Sequence, residues 1–464
     1  AFKDISRYLG RAQLEFLRRA ADSSGDDNEV FVLESLIENA EVSSRTPLPL
    51  CQDTGTATIF AVKDEGILCG GGEREALERG AAKAWEDGFL RSSQNLPEDL
   101  YRERDSGTNL PAQLHIEGGW TPVAETGPRY RFLFCAKGGG SANKTSLFQM
   151  TKALLEEDKL KAFLLDKTLS LGTAACPPYH LAFVIGGTSS EENLMTLKLA
   201  TAGLFASWPG GSTGSAHADA LPIRDRELEA WLLEQSAQRG PGAQFGGSHF
   251  LASCTVLRLS RHAASLPVSI GVSCVAHRNI LAQIDRNGLR IEELCRDPSH
   301  FLRQGEDKNL KVESSVAVDL SQGMEAFLSL LRTLPPGTRL SLSGPVLVAR
   351  DAAHLRWHQA LERGEELPAY TRDYPIFYAG PARTPPGFAT GSLGPTTALR
   401  MDEYADELMS RGASLVSLAK GNRSPLFREA CVRHGGFYLG TIGGAAALLA
   451  SRNIVSSELI DFED

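Results

Sequence analysis

The stretch PLPLCQDTGTATIF, residues 47–60, places a thiol, an amide and a carboxylate side by side where the chain bends. Two prolines lead into Cys51, and Gln52 and Asp53 follow it directly. Gly55 permits a tight turn before a strand-like apolar run begins. Because a lone cysteine is usually a small core residue, this turn indicates chemistry only if partners elsewhere in the chain meet it.

Two further cysteines occupy similar bends, Cys176 in GTAACPPYH and Cys274 in GVSCVAHRN. Eight cysteines in 464 residues are too few for a disulfide scaffold. The sequence has no Cys-x-x-Cys pair, which excludes a zinc ribbon or a ferredoxin-type run. Spacing alone leaves two interpretations open: three separate core residues, or three turns that converge on one cluster.

Composition limits the partners of the chain. With a formal net charge of −9 it has no basic excess for nucleic acid or an anionic membrane surface, and no apolar run reaches membrane-spanning length. The N-terminal AFKDISRYLGRAQLEF is typical of one amphipathic helix and lacks the apolar segment of a secretion signal. We expect a reducing compartment, the cytoplasm or an organelle matrix, and not a secreted protein. Since the chain starts at Ala1 rather than methionine, we expect its natural beginning to have been removed.

The order of elements predicts an α/β protein of two domains. Helical periodicity marks EREALERGAAKAWEDGFL, SEENLMTLKLATAGLFA with its capping box, and DRELEAWLLEQSAQRG, whereas HLAFVIGG is typical of a buried strand. A polar, charged stretch then predicts a linker, beyond which short strands and helices alternate. We place an N-terminal domain at residues 1–297, the linker at 298–311 and a smaller C-terminal domain at 312–464.

A triple-glycine stretch, AKGGGSANKTS at residues 136–146, is a first candidate for binding an anion. It fails the Walker pattern, because Lys144 follows Asn143 rather than a glycine. It is either a flexible turn or a backbone cradle for an anion other than a nucleotide phosphate.

Cationic residues near predicted element ends are further candidates. In GPTTALRMDEYADEL, Thr396, Thr397 and Arg400 lie where a helix should begin, which suits a carboxylate but also ordinary capping. Lys420 in LVSLAKG and Arg350 in VLVARDAAH follow apolar runs. Residues just past a strand commonly line the ligand crevice of an α/β sheet, although most lysines are surface residues.

Taken together, these motifs resemble those of class I fumarate hydratases, the iron–sulfur hydro-lyases. Similar to the family's N-terminal domain are CQDTGT, KGGGSANKTSLFQM, GTAACPPYHLAFVIGGTS, and GGSHF with RLSRHAASLPVSIGVSCVAHRNI. Similar to its C-terminal domain are LSGPVLVARDAAH, GPARTPPGFATGSLGPTTALRMD, LAKGNRS and RHGGFYLGTIGGAAALLA. The resemblance covers almost the whole chain in the family's order. It implies an N-terminal cluster-binding α/β domain, a smaller C-terminal α/β domain and a homodimer.

The resemblance implies a [4Fe–4S] cluster held by Cys51, Cys176 and Cys274. Four thiolates would saturate such a cluster for electron transfer. Three leave one iron free to act as a Lewis acid on a substrate hydroxyl and carboxylate. The five other cysteines have no counterpart in the family.

The resemblance also implies a small dicarboxylate substrate and the reversible hydration of fumarate to L-malate. The planar fork of arginine suits the two oxygens of a carboxylate. Positions that match the family's substrate contacts are Gln52, Arg91, Gly140, Arg350, Thr397, Arg400 and Lys420.

Acid and base roles follow from the resemblance with one alternative left open. Thr396, assisted by Asp53, is the candidate base that removes the C3 proton of malate, and His262 is the candidate acid for the leaving hydroxyl. Because a threonine alkoxide is costly, Asp53 acting directly is the alternative base.

Three departures from the family's pattern put the substrate in question. Leu399 stands in TTALRMD where glycine is more common, and His277 stands in VAHRN where a small acidic residue is usual. Similar chains run on past Asp464, so we expect a lost C-terminal segment or a different end to the fold. Tartrate or mesaconate is therefore an alternative substrate.

Two non-catalytic alternatives also remain. An iron or dicarboxylate sensor would keep the ligands and lose an acid–base residue, and the presence of Asp53, Thr396 and His262 disfavours it. A cluster-free binding protein would use its cysteines only for packing.

Overall fold

A computed structural model describes residues 1–119, 127–206, 222–303 and 315–462. Within these residues the protein is a mixed α/β fold with several sheets, as the sequence predicts. None of the helices described there combines the length and the hydrophobicity that a bilayer crossing requires.

The N-terminal part mixes helices with two large sheets. Its helices are α1 (Phe2–Arg7), α2 (Arg11–Ser23), α3 (Asp27–Arg45), α4 (Glu73–Asp87), α5 (Gly139–Ala142), α6 (Glu157–Leu169), α7 (Ser190–Thr201) and α8 (Arg226–Arg239). Its strands are β1 (Thr56–Asp64), β2 (Asn95–Pro97), β3 (Glu103–Asp105), β4 (Gln113–Gly119), β5 (Tyr130–Lys137), β6 (Ser146–Met150), β7 (Tyr179–Gly187), β8 (Ile223–Arg224), β9 (Leu251–Arg261), β10 (Leu266–Ser273), β11 (Asn279–Asp285) and β12 (Gly288–Ile291). Short 3₁₀ helices cover Lys152–Leu155 and Ser299–Phe301.

The second of the two sheets brings two cysteines that are distant in sequence to the same end of neighbouring strands. The first sheet has the order β12-β11-β5-β1-β4 and the second β6-β10-β7-β9-β8. Every residue of β10 is buried, which explains the near-continuous apolar sequence of this central strand. Strand β10 runs antiparallel to β7, with Ser273 opposite His180. Cys176 precedes β7 and Cys274 follows β10, so both lie at the same end of these two antiparallel strands.

The C-terminal part is a smaller α/β unit. Its strands are β13 (Val316–Asp319), β14 (Leu340–Ser343), β15 (Leu347–Val348), β16 (Ile376–Phe377), β17 (Val416–Ala419) and β18 (Phe437–Gly440). Its helices are α9 (Met324–Leu331), α10 (Asp351–Glu362), α11 (Tyr370–Asp373), α12 (Asp402–Ser410), α13 (Pro425–His434) and α14 (Ala446–Arg452), with 3₁₀ helices at Leu320–Gln322 and Ala398–Met401. Strands β15 to β18 form a parallel four-stranded sheet in sequence order.

The predicted helices are confirmed at three places. Helix α4 ends before Gly88, α8 ends before Gly240, and α7 begins after Ser189, whose hydroxyl accepts a hydrogen bond of 3.2 Å from the backbone N–H of Glu192. The prediction of a single N-terminal helix is wrong, because α1 and α2 are separate. Both Tyr8 and Gly10 have extended backbones, and the low helix propensity of glycine favours a break here.

The two parts are joined by side chains as well as by the chain itself. The sheets of the N-terminal part use residues 56–291 and those of the C-terminal part residues 316–440. Asn39 of α3 donates to the carbonyl of Leu50 (3.0 Å) and accepts from the backbone N–H of Leu448 in α14 (3.0 Å). The predicted linker at 298–311 lies outside the described residues from position 304 onward, and its described beginning buries Phe301 against α2 and α3.

Candidate active site

The turn that carries Cys51 lies between α3 and β1 and is held by the C-terminal part. The Ser392 hydroxyl donates to the carbonyl of Pro49 at 2.5 Å. The side-chain amide of Gln52 donates to the carbonyl of Pro395 at 3.1 Å. Cys51 itself is buried, so both parts of the chain enclose its thiol.

Cys176 and Cys274 lie on adjacent loops at the ends of β7 and β10 in the second sheet. The backbone N–H of Val275 donates to the carbonyl of Cys176 at 3.1 Å. Cys176 has a φ of 63°, a left-handed conformation that non-glycine residues rarely adopt and that often marks a functional site. This loop geometry holds the two thiols close together.

The thiols lie near enough to influence one another's pKa. Burial raises the pKa of Cys51 to about 12, against the opposing charges of Arg278 and Lys420, and Cys176 adds to the rise. Burial also raises the pKa of Cys176, and the neighbouring charge of Cys274 contributes. The three bends noted in the sequence therefore lie near one another, and Cys176 and Cys274 also pack in one hydrophobic cluster with residues of α2 and α3. That they hold a shared cluster stays a prediction.

Lys420 reaches the same place from the end of β17. Its Nζ donates to the Sγ of Cys176 at 2.9 Å, and both side chains are buried. A Cβ atom added at Gly443 would lie 2.4 Å from the same Sγ, so the backbone of residue 443 touches the cysteine directly. Lys420 is thus an interior cation and not a surface residue.

Asp53 faces the triple-glycine loop. Its Oδ2 accepts from the backbone N–H of Gly139 at 2.7 Å, and a Cβ atom at Gly138 would lie 2.6 Å from that oxygen. Gly140 packs against the loop before Cys176, where its Cβ would lie 3.5 Å from the Cα of Ala175. The glycines therefore let the backbone approach the Cys51 turn and the Cys176 loop at once.

Two arginines converge beside Gly380. A Cβ atom there would lie 3.2 Å from the guanidinium of Arg350 and 3.4 Å from that of Arg91. Thr54, next to Asp53, holds the backbone of Arg91 by accepting from its N–H (3.0 Å) and donating to its carbonyl (2.9 Å). Burial lowers the pKa of Arg91, while the carboxylate of Asp53 raises it and the charge of Arg400 lowers it.

Arg400 completes the cationic set. Its Nη2 donates to the hydroxyl of Thr396 at 3.2 Å and to the carboxylate of Asp351 at 2.8 Å. The prediction of an α-helix start at the two threonines is wrong. Thr396 exchanges backbone hydrogen bonds with residues 378 and 420, and Thr397 precedes only the 3₁₀ turn at Ala398–Met401, so α12 begins at Asp402.

Comparison with known proteins decides the family. A model of "Fumarate hydratase (Fumerase)" matches residues 1–283, and a model of "Fumarase C-terminus" matches residues 288–464. The chain is 48% identical over 465 residues to "Fumarate hydratase class I, aerobic" of Escherichia coli K12, covering 100% of this chain and 83% of that protein. The chain belongs to the class I fumarate hydratase family.

Other members of the class I fumarate hydratase family are comparably similar. The anaerobic class I enzyme of Escherichia coli K12 is 48% identical over 465 residues, with 100% of this chain and 83% of that protein covered. "Fumarate hydratase 2" of Leishmania major is 45% identical over 465 residues, with 100% and 80% covered.

One residue that the family resemblance assigns to the site lies elsewhere in the single chain. His262 is exposed in the turn between β9 and β10, where its Nδ1 accepts from the backbone N–H of Ala264 at 3.2 Å. Cys274 follows the opposite end of β10, an eight-residue strand that spans roughly 23 Å. The chain's own fold therefore separates His262 from the three thiols.

Sequence reasoning missed two residues that support the site. Arg278 is buried, and its charge opposes the rise in the pKa of Cys51. Thr54 fixes Arg91 as described above. Arg278 could have been noticed as a charged residue in the otherwise apolar surroundings of Cys274, whereas Thr54 carries no distinctive signal.

The chemistry of the three thiols is compatible with an iron–sulfur cluster. Among the described residues, no group of three or more His, Cys, Asp or Glu side chains is arranged to hold one ion. Ligands of one ion crowd around it at about 2.3 Å for thiolates, whereas the cysteines of a cluster bind separate irons. Three thiols from separate loops, beside the cations Lys420 and Arg278, suit a thiolate-bound anionic cluster.

Proposed function

We propose that the protein is a fumarate hydratase, a hydro-lyase that interconverts fumarate and L-malate. The convergence of Lys420, Arg91, Arg350 and Arg400 around Asp53 supports this most strongly, because a dicarboxylate needs cations at both ends. The functions printed for the Escherichia coli and Leishmania relatives agree with it.

We further propose that Cys51, Cys176 and Cys274 hold a [4Fe–4S] cluster. When bound, its open iron would supply Lewis acidity toward the substrate hydroxyl and carboxylate. Lys420 and Arg278 offset the negative charge of the thiolates.

The chain's own residues carry the remaining steps. Arg91 and Arg350 bind a substrate carboxylate, and Lys420 stabilises the charge that develops as the C3 proton leaves. Thr396 is the proposed base, because the guanidinium of Arg400 donates to its hydroxyl oxygen and favours a negative charge there. Asp53, held by Gly139, assists Thr396 or acts directly in its place.

Gln52, Gly140 and Thr397 complete the proposed substrate contacts. Gln52 and Thr397 lie in loops and Gly140 lies in α5. His262 can act as the acid only if the homodimer implied by the family resemblance brings it to a second chain's site. We propose that residues 1–297 form the N-terminal domain and residues 312–464 the C-terminal domain. The cytoplasm or an organelle matrix is the proposed location.

A substrate comparison on anaerobically purified protein tests the proposed function. We expect the protein to convert fumarate to L-malate, which is monitored as a loss of the absorbance of the double bond. The kcat/KM for fumarate should exceed the kcat/KM values for mesaconate and for tartrate. A higher kcat/KM for either alternative would reassign the substrate. Dicarboxylate binding without turnover in cluster-loaded protein would indicate a sensor.

A further inference from the structure

The loop between α8 and β9 reaches across to the C-terminal part, where Phe245 packs beside Gly440 and Gln244 forms hydrogen bonds. Gln244 lies in this loop, is buried, and has a φ of 83°. Non-glycine residues rarely adopt this left-handed backbone, which persists only where the surroundings hold it.

The amide of Gln244 makes three hydrogen bonds that join two loops. Its Nε2 donates to the carbonyls of Gly443 (2.9 Å) and Pro177 (3.2 Å). Its Oε1 accepts from the backbone N–H of Gly443 (2.7 Å). The amide therefore pairs with both backbone groups of residue 443, much as a neighbouring strand would, while holding the residue that follows Cys176.

The backbone of Gly443 is the part that touches the site. A Cβ atom there would lie 2.4 Å from the Sγ of Cys176 and 2.9 Å from the Cδ of Lys420. At the next residue, Gly444, a Cβ atom would lie 3.0 Å from the side chain of Val275, the neighbour of Cys274. The turn at 443–444 therefore covers the Cys176 thiol and the adjacent loop of Cys274.

The loop that presents Gln244 is itself anchored by a buried carboxylate. Glu29 accepts from the backbone N–H groups of Ala243 (3.0 Å), Ser248 (3.1 Å) and His249 (2.7 Å). Burial alone would raise the pKa of Glu29, but the hydrogen bonds, those from His249 foremost, lower it to about 2. A charged, fully bonded anchor explains how Gln244 is kept in its unusual conformation.

We propose that Gln244 is a positioning residue that holds the backbone of Gly443 against Cys176 and so keeps this thiol and Lys420 closed from solvent. The inference deepens the proposed function, since it assigns a support to the site that would bind the cluster. The protection of the Cys176 thiol by the Gln244 amide can be measured whether or not the protein turns over a substrate.

The test is the rate at which iodoacetamide alkylates individual cysteines of the folded, cluster-free chain, read by mass spectrometry. We expect Gln244→Ala to speed alkylation of Cys176 by about tenfold or more. In the variant, the 443–444 turn can open away from Cys176 without breaking the three hydrogen bonds of the Gln244 amide, so the thiol is exposed more often. Cys254, buried in β9, serves as the internal reference for global loosening. Gln149→Ala, which removes an exposed glutamine, is the matched control.

A second variant keeps the test informative if the alanine variant does not fold. Gln244→Glu retains the shape and the acceptor but loses both donations, so it should also speed alkylation of Cys176 selectively. An unchanged rate at Cys176, or an equal acceleration at Cys176 and Cys254, would overturn the proposal. Selective exposure of Cys176 in the cluster-free variant, together with a cluster-loaded wild type that does not hydrate fumarate, would uphold this inference and refute the proposed function instead.

Discussion

The ammonium of Lys420 lies 2.9 Å from the sulfur of Cys176, and both residues are buried. The lysine belongs to the C-terminal part and the cysteine to the N-terminal part, so the contact joins the regions that two family models match separately. Burial alone would lower the pKa of Lys420, but the charges of Cys176 and Cys51 raise it. The contact with Cys176 therefore favours the charged form of the lysine, which is the form that binds an anionic ligand.

Replacing Lys420 by methionine should lower the kcat of fumarate hydration by about 10²- to 10³-fold. The substitution removes a positive charge that is already in place to stabilise the negative charge developing on the substrate carboxylate. Steady-state kinetics on cluster-loaded protein measure this. Lys159→Met is the control, since Lys159 is exposed and pairs with Glu156 on the protein surface. A Lys420 variant with unchanged kcat would remove the lysine from the mechanism.

Replacing Arg350 by lysine should raise the KM for fumarate about tenfold, because a lysine cannot bind both oxygens of a carboxylate. Arg91→Lys should act in the same direction, since the two guanidinium groups flank the same residue, Gly380. Arg363→Lys, at an exposed arginine that pairs with Glu365, should leave KM unchanged. Equal KM values in all three variants would contradict the proposed carboxylate site.

Asp53→Asn and Thr396→Val together identify the base. The asparagine oxygen still accepts from Gly139, so the turn is preserved while proton transfer is lost, and kcat should fall by about 10²- to 10⁴-fold. If Thr396 is the base, its valine variant should lose as much activity. A Thr396→Val enzyme that keeps most of its kcat, beside an inactive Asp53→Asn enzyme, would assign the base to Asp53. Asp158→Asn, at an exposed position, is the control.

Acid should destabilise the fold through His354. Its ring is buried, its Nδ1 lies 3.0 Å from the carbonyl of Arg350, and burial lowers its pKa from 6.5 to about 3. The unfolded chain therefore binds a proton that the folded chain refuses, so this contribution to stability is present above pH 6.5 and is lost as the pH falls toward 3. His354 should contribute up to about 1.4 kcal/mol per pH unit to the slope, in addition to the contributions of His180 and His277, whose pKa values burial also lowers.

Urea unfolding of the cluster-free protein at pH 7, 6 and 5 measures this dependence. His354→Gln should flatten the slope, since glutamine keeps a donor but does not titrate. A variant whose free energy of unfolding follows the wild-type pH dependence would contradict the role of His354.

Regular elements were predictable where local signals agree. The capping box at Ser189 and Glu192 and the glycines after α4 and α8 mark helix ends by local geometry alone. The N-terminal break was missed because the apolar spacing runs through Gly10, and only tertiary packing decides whether a single glycine ends a helix.

The site was predictable in its chemistry and less so in its supports. Bends around Cys51, Cys176 and Cys274 are visible in the sequence, and family resemblance groups them. Thr54 and Gln244 are ordinary polar residues whose partners are backbone groups, and for Gln244 these lie up to 199 positions away, so no spacing reveals them. Strand length also separates His262 from Cys274, although both belong to one quoted motif.

Iron and acid-labile sulfide content of anaerobically purified protein shows whether Cys51, Cys176 and Cys274 hold one cluster. We expect about four irons and four sulfides per chain in the wild type and in Cys431→Ser, and a large loss in Cys51→Ser, Cys176→Ser and Cys274→Ser alike. Full iron and sulfide content in any of those three variants, or an equal loss in Cys431→Ser, would contradict this expectation.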